Sequence, residues 1–295
     1  MISKVWFITG ASRGLGRIWA EAALTRGDKV AATARTLADV ADLAERFGDA
    51  VLPMALDVTD ADQARQAVQQ AHAHFGRLDV VLNNAAYSLV GTVEEASEAD
   101  VRALFDTNFF GTLRVLQAAL PLLREQGSGH IVSVSSSLGI VPMPLIGFYC
   151  ASKAAIESIH ESLAPEIKGF GIKVTLIEPG AYATDFGSPS SFKMAPGMDA
   201  YADFRKRIFG GISHAERGNP LATAEAILQL VDAEKPPMRF ILGSATLPRA
   251  RAAYADRLAT WEAWEAVSNA AQGEPQKVAA APVPEIPGTP KTMAK

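Results

Sequence analysis

The sequence predicts an α/β protein: one doubly wound domain on a parallel sheet covered by helices on both faces. Three observations predict it. Apolar runs of strand length alternate with segments of helical spacing along most of the chain. Those runs are continuously apolar or β-branched, as strands buried on both faces require. Most are separated by enough residues for a helical crossover, which parallel neighbours need.

The first run, 4–9, is followed by a helix over 18–24 that stops at Arg26-Gly27, where glycine supplies a left-handed cap. Runs 29–34 and 50–56 are the second and third strands. A helix over 60–75 ends in the same way at Gly76, and 78–82 is the fourth strand. Helical spacing over 99–124 leads to the fifth strand at 130–135. A helix over 148–168 leads to the sixth at 172–177, and one over 221–233 to a weaker seventh run at 239–242. The domain is therefore expected to span 1–245. Segment 185–219, rich in Gly, Ser, Pro and Met, interrupts the alternation after the sixth strand. It reads as a disordered linker or as a substrate lid, and the lid is favoured because ligands sit beyond the carboxyl ends of such strands. Residues 246–272 form a helical extension, and 273–295, with five prolines and no aromatic residue, has the composition of a disordered tail.

Composition removes several function classes. The 295 residues are 48% hydrophobic and 20% charged with a net charge of −4, whereas a nucleic-acid or anionic-membrane binder needs a basic excess. A single cysteine, Cys150, excludes an internal disulfide framework and a cysteine-cluster metal site. With no apolar leader after Met1 and no run long enough to span a membrane, the cytoplasm is the expected location and no membrane span is expected. No metal site is expected either: His72 and His74 alternate on a helix and point apart. Cys150, adjacent to a catalytic candidate but about 100° away around its helix, reads as packing. Trp261 and Trp264 join a helical stripe with Leu247, Tyr254 and Leu258; packing on the domain's own edge and a dimer or lid contact are both open.

Between the first strand and first helix lies Thr9-Gly10-Ala11-Ser12-Arg13-Gly14-Leu15-Gly16. Glycines there let the backbone approach a pyrophosphate, and the helix N-terminus offers it free N–H groups and a positive dipole end. A dinucleotide is the expected ligand. An NAD site places an acid about 20 residues on, to accept the ribose 2′-hydroxyl. The 19th residue after Gly16 is instead Arg35, and the nearest acid is Asp39. Arg13 and Arg35 suit a 2′-phosphate, so NADP(H) is preferred over NAD(H); the alternative is a pair of solvated arginines.

Tyr149 and Lys153 stand four apart on one helix face after the fifth strand, and Ser136 sits where that strand ends. Reducing a ketone by hydride requires a proton donor at the developing alkoxide. A lysine cation ~4 Å from the phenol stabilises tyrosinate by about 4 kcal/mol at an effective dielectric near 20, enough to bring tyrosine near neutrality before desolvation subtracts. Ser136 would hydrogen-bond the substrate oxygen.

On these and further residues, the chain over roughly 5–242 resembles the short-chain dehydrogenase/reductase family. The matching residues are TGASRGLG at 9–16, Asp57, Asn83-Asn84-Ala85, Asn108, Ser136, Tyr149-x-x-x-Lys153, and Pro179-Gly180 with Thr184. The resemblance implies a Rossmann-type sheet in the strand order 3-2-1-4-5-6-7. It also implies that Asp57 with Val58 meets the adenine and that Asn84 and Ala85 line the cofactor cleft. Asn108 would hold a water relaying protons from Lys153. Lys153 would also bond the nicotinamide ribose, with Pro179, Gly180 and Thr184 at the nicotinamide. Where the family usually has Asn-Asn-Ala-Gly this chain has Ala86 in fourth place, so the backbone there is less free. ATAR at 32–35 and YCASKAAIES at 149–158 resemble the hydroxysteroid and retinol dehydrogenase branch. A homodimer or homotetramer is implied through the helices containing Asn108 and Tyr149. The apolar residues Leu138, Ile140, Val141, Met143, Leu145, Ile146 and Phe148 are expected to face a hydrophobic ketone or secondary alcohol. The expected function is therefore NADP(H)-dependent carbonyl reduction or alcohol oxidation. A 3-oxoacyl thioester reductase, using Lys193, Arg205, Lys206 and Arg207 to meet a carrier's phosphopantetheine, and a non-catalytic NADP-sensing protein are the alternatives.

Overall fold

Apolar strands need cover on both faces, and the chain supplies it by regular crossovers. A computed structural model describes residues 3–188, 191–213 and 216–274. The first half runs β1 (Val5–Ile8), α1 (Gly14–Thr25), β2 (Lys29–Ala34), α2 (Ala38–Phe47), β3 (Val51–Ala55), α3 (Ala61–Phe75), β4 (Val80–Asn83) and β5 (Ser88–Val90). Then come α4 (Glu98–Phe105), α5 (Thr112–Gln126), β6 (Gly129–Val134), α6 (Ser137–Ile140), α7 (Gly147–Ile167) and β7 (Ile172–Pro179). The unit closes with β8 (Phe192–Met194), α8 (Ala202–Ser213), α9 (Thr223–Asp232) and β9 (Arg239–Leu242). The main sheet is parallel in the order β3-β2-β1-β4-β6-β7-β9. With the short β5 and β8 set aside, this is the expected 3-2-1-4-5-6-7 order. The order reverses between β1 and β4, which opens a crevice at their carboxyl ends.

Alternation along each strand divides the core into two layers. Phe7, Val81 and Ile131 face Val68, Leu116 and Leu163 on one side. Trp6, Ile8, Leu82 and Val132 face Trp19, Leu43 and Ile227 on the other.

Three features depart from the expected elements. Helix α2 was not anticipated, although Val40, Leu43 and Phe47 carry its apolar spacing. The expected helix 99–124 is widened by a π-type turn, Asp106–Gly111, whose last residue packs against Val58: a methyl on Gly111 would stand 2.7 Å from a Val58 side-chain carbon. Segment 185–219 carries structure of its own, since β8 pairs with β5, Phe192 opposite Ser88. The chain divides into two units at 251/252, within α10 (Thr246–Ala263), rather than at 245. In the second unit α10 continues into α11 (Glu265–Gln272), and Tyr254, Leu258, Trp261 and Trp264 are exposed. The tail expected at 273–295 lies outside the described residues from 275 onward. No described helix is long and apolar enough to cross a membrane, and no described cluster of His, Cys, Asp and Glu could hold a metal ion.

At the edge remote from the crevice, buried Asp28 ties β1 to β2. It accepts from the Lys4 amide at 3.0 Å and the Trp6 indole at 2.8 Å, and it pairs with Arg26. Asp28→Ala leaves the fully buried indole N–H without its acceptor, so urea unfolding is expected to show a loss of about 1–3 kcal/mol with cofactor affinity unchanged. A loss within experimental error would contradict this account of the β1–β2 junction.

Candidate active site

The turn after β1 is shaped by contacts from the end of β4. Gly10 and Gly14 have φ of +68° and +59°, where side chains are disfavoured. Asn84 clamps the turn: its side-chain amide donates to the Thr9 and Gly10 carbonyls at 3.1 and 3.0 Å. The Asn84 and Ala85 amides donate to the Thr9 hydroxyl at 2.9 and 3.1 Å. A methyl on Gly16 would collide with the Asn84 side chain and stand 2.5 Å from the Gly10 carbonyl oxygen. Helix α1 starts beyond Arg13 with no side-chain cap and no acid in its first turn, so its N-terminal amides and dipole suit an anion. The cradle fits a dinucleotide pyrophosphate, with Gly10, Ser12, Arg13, Gly14, Leu15 and Gly16 around it.

Arg13 and Arg35 lie exposed beyond the carboxyl ends of adjacent strands. The Arg13 loop is tied to β2 two residues before Arg35, with the Ala11 amide donating to the Thr33 carbonyl at 2.8 Å. No carboxylate among the described residues pairs with Arg35, whereas Arg17 nearby is committed to Asp42 and Glu21. Asp57 accepts from the Thr59 amide and hydroxyl at 2.9 and 2.8 Å, and Val58 is packed against Gly111.

Across the crevice, β6 delivers Ser136 and α7 delivers Tyr149 and Lys153. Ser136 caps α6, accepting from the Leu138 amide at 3.1 Å, and its hydroxyl is near enough to the Tyr149 phenol to favour the ionised form. A phenol near neutrality, expected from a lysine cation beside it, is not what forms. Lys153 Nζ donates to the Val134 carbonyl at 2.7 Å and stands 5.7 Å from the centre of the Tyr149 ring. Burial pushes the Tyr149 phenol well above its usual value, with the Ser136 hydroxyl pulling it partway back. Burial pushes Lys153 down to about 8, with Glu157 opposing. At neutral pH the phenol therefore carries its proton.

Asn108, on the π turn, has its side chain engaged: Oδ1 accepts from the Tyr87 amide at 3.1 Å, and Nδ2 donates to the Tyr87 carbonyl and Ser152 Oγ, both at 3.0 Å. Ser152 in turn donates to the Tyr149 carbonyl at 2.8 Å. Asn108 thus braces the first turn of α7. Ser152, Tyr87 and Val134 had escaped sequence reading; the one available signal was a serine on the inward face between Tyr149 and Lys153.

At the end of β7, the Gly180 amide donates to the Leu242 carbonyl at 2.9 Å, extending the strand past Pro179. Thr184 approaches the phosphate turn, 3.9 Å from where a Gly14 methyl would stand. Phe186 lies over Tyr149 with ring centres 5.7 Å apart. Of the apolar residues expected around the site, Ile140 and Leu145 are buried and Leu138, Val141, Met143, Ile146 and Phe148 half-buried. Leu145 holds a φ of +66°, and its carbonyl accepts from the Gly91 amide at 2.7 Å, just past β5. Cys150 is buried, as packing predicted.

A short chain dehydrogenase family model matches residues 4–194. The chain is 39% identical over 274 residues to oxidoreductase BOA17 of Botryotinia fuckeliana, covering 90% of this chain and 98% of that one. It is 36% identical over 246 residues to a 3-ketodihydrosphingosine reductase of Bacteroides thetaiotaomicron, covering 82% and 89%. Among solved structures, a short-chain dehydrogenase from Streptomyces avermitilis superposes with a TM-score of 0.85 at 37% identity, covering 92% and 99%. A Burkholderia cenocepacia short chain dehydrogenase in complex with NADP gives 0.71 at 26%, covering 88% and 96%. A Burkholderia phymatum relative in complex with NAD gives 0.75 at 21%, covering 88% and 95%. The chain belongs to the short-chain dehydrogenase family, with a Rossmann-type fold that binds a nicotinamide cofactor. It is an oxidoreductase of that type.

Because the Asn84 clamp leaves no room for a side chain at Gly16, Gly16→Ala is expected to weaken dinucleotide binding about tenfold or more in a fluorescence titration. An unchanged affinity would mean that the turn does not form the cradle.

Proposed function

We propose that the protein transfers hydride between NADP(H) and a hydrophobic ketone or secondary alcohol. The observation that carries this reading is the buried, protonated Tyr149, with the Ser136 hydroxyl and the Lys153 ammonium beside it. Bound NADPH supplies the hydride. Ser136 orients the substrate oxygen, and Tyr149 gives its proton to the oxygen as negative charge develops there. Lys153 adds a cation beside the phenol and holds the nicotinamide ribose, while Asn108 positions α7 through Ser152. Asn84, Ala85, Pro179, Gly180 and Thr184 line the nicotinamide side, and Asp57 and Val58 the adenine side.

The preference for NADP(H) is supported by Arg35, which no described carboxylate neutralises, beside Arg13. An apolar substrate is supported by Phe186 over Tyr149, by the buried Ile140 and Leu145 on the segment between Ser136 and Tyr149, and by the ketone named in one relative's activity. Segment 185–219 acts as the lid. The thioester alternative loses part of its support, because Lys193 pairs with Asp100 and Arg205 with Glu95, leaving less positive charge for a carrier. A purely sensing role has no use for a buried, proton-bearing tyrosine.

Tyr149→Phe is expected to cut NADPH-driven reduction of apolar ketones by about a hundredfold or more while NADPH still binds. Retention of most activity would refute the assigned proton donor. Arg35→Asp is expected to weaken NADPH binding about tenfold or more with little change for NADH. Equal losses for the two cofactors would show that Arg35 does not read the 2′-phosphate.

A further inference from the structure

One helical turn beyond Lys153 lies an ionic cluster that the proposed chemistry does not use. Glu157 on α7 is buried, and so is Glu178 on β7, immediately before Pro179. Both pair with Arg239, the first residue of β9, Glu178 at 2.6 Å. Arg239 also reaches the more exposed Glu161 at 2.9 Å. Three carboxylates thus converge on one guanidinium, and the cluster holds more negative charge than its own cation balances. Lys153, also buried, stands four residues before Glu157 on the same helix face, and the Glu157 charge favours its ammonium form.

The surroundings leave few other charges to consider. From the end of β6, Ser135 faces Glu157. Gly139 of α6 packs so closely that a methyl there would stand 2.9 Å from Ser135 Oγ and 3.3 Å from Glu157. On α7 itself, His160 bonds the Ile156 carbonyl at 2.8 Å, and burial lowers it to about 4, so it is neutral at pH 7. Tyr149 is protonated, and the π turn contributes only the neutral Asn108 through Ser152.

We infer that Glu157, clamped by Arg239 behind Lys153, is a positioning residue that keeps the Lys153 side chain in its ammonium form during turnover. The inference rests on the role proposed above for Lys153. Burial works against that ammonium, and Glu157 is the group that opposes it. Burial, with the nearby Glu178 adding to it, raises Glu157 itself to about 7, against the pull of Ser135 and Arg239. The Glu157 carboxylate is therefore mostly charged where Lys153 titrates. Substituting Glu157 leaves Arg239 paired with Glu178 and Glu161, so no buried charge is stranded.

The test is an NMR titration of the full-length protein labelled with carbon-13 in its lysines, with the Lys153 signal assigned by its loss in Lys153→Met. Glu157→Gln is expected to lower the Lys153 midpoint by about one pH unit, and Glu157→Asp to restore most of it. A Glu157→Gln midpoint within about 0.2 pH unit of the wild type, with only thermal stability reduced, would overturn the inference and leave the cluster a cross-link between α7, β7 and β9. If Glu157→Gln does not fold, Glu157→Met replaces it with the same expectation. If neither folds, the wild-type curve decides: the Lys153 signal should show a second inflection near pH 7 from Glu157, and a single-step curve overturns the inference. The readout needs no turnover. A shifted midpoint in an inactive enzyme would count against the proposed function alone, and an unshifted one in an active enzyme against this inference alone.

Discussion

The hydrogen bond from Lys153 to the Val134 carbonyl fixes helix α7 to the carboxyl end of β6, and the geometry of the site depends on it. A buried ammonium needs hydrogen-bond acceptors and a countercharge to offset its lost hydration. Val134 is the last residue of its strand, where the chain turns into the short helix carrying Ser136. One contact therefore sets the height of α7 against the sheet, bringing Tyr149 level with Ser136 and placing Glu157 one turn below. The same placement explains why the phenol keeps its proton: the cation spends its bond on a carbonyl, and burial dominates what the phenol feels.

The cofactor half follows a parallel logic. Strands β1 and β4 end side by side at the point where the sheet order reverses, and Asn84 uses that adjacency to hold the phosphate turn from across the crevice. Glycine is required at 10 and 14 by backbone conformation and at 16 by the clamp itself. The two halves meet where Thr184 approaches the turn and Phe186 covers Tyr149, so the elements after β7 contribute to both.

Much of this was legible in the sequence. The continuous apolar runs identified all seven strands of the main sheet, and the fold brings the glycine turn and Ser136, Tyr149 and Lys153 to the carboxyl end of that sheet. What escaped depends on partners distant in sequence or on very short elements. Strands β5 and β8, three residues each, are too short to show a period. The π turn at Asn108 packs Gly111 against Val58, a contact that no local pattern encodes. The direction taken by the Lys153 side chain, and with it the state of the phenol, depended on a carbonyl 19 residues away. The ion-pair partner of helix residue Glu157 lies on a distant strand, with Arg239 82 residues on.

The central claim is that this chain moves hydride to an apolar carbonyl under the control of a buried tyrosine. The most direct measurement follows deuterium from NADPH labelled at its transferable position into the product of a panel of prochiral apolar ketones, read by mass spectrometry. The account predicts one deuterium at the carbinol carbon, delivered to a single face. Tight NADPH binding with no label transferred to any member of the panel would contradict it.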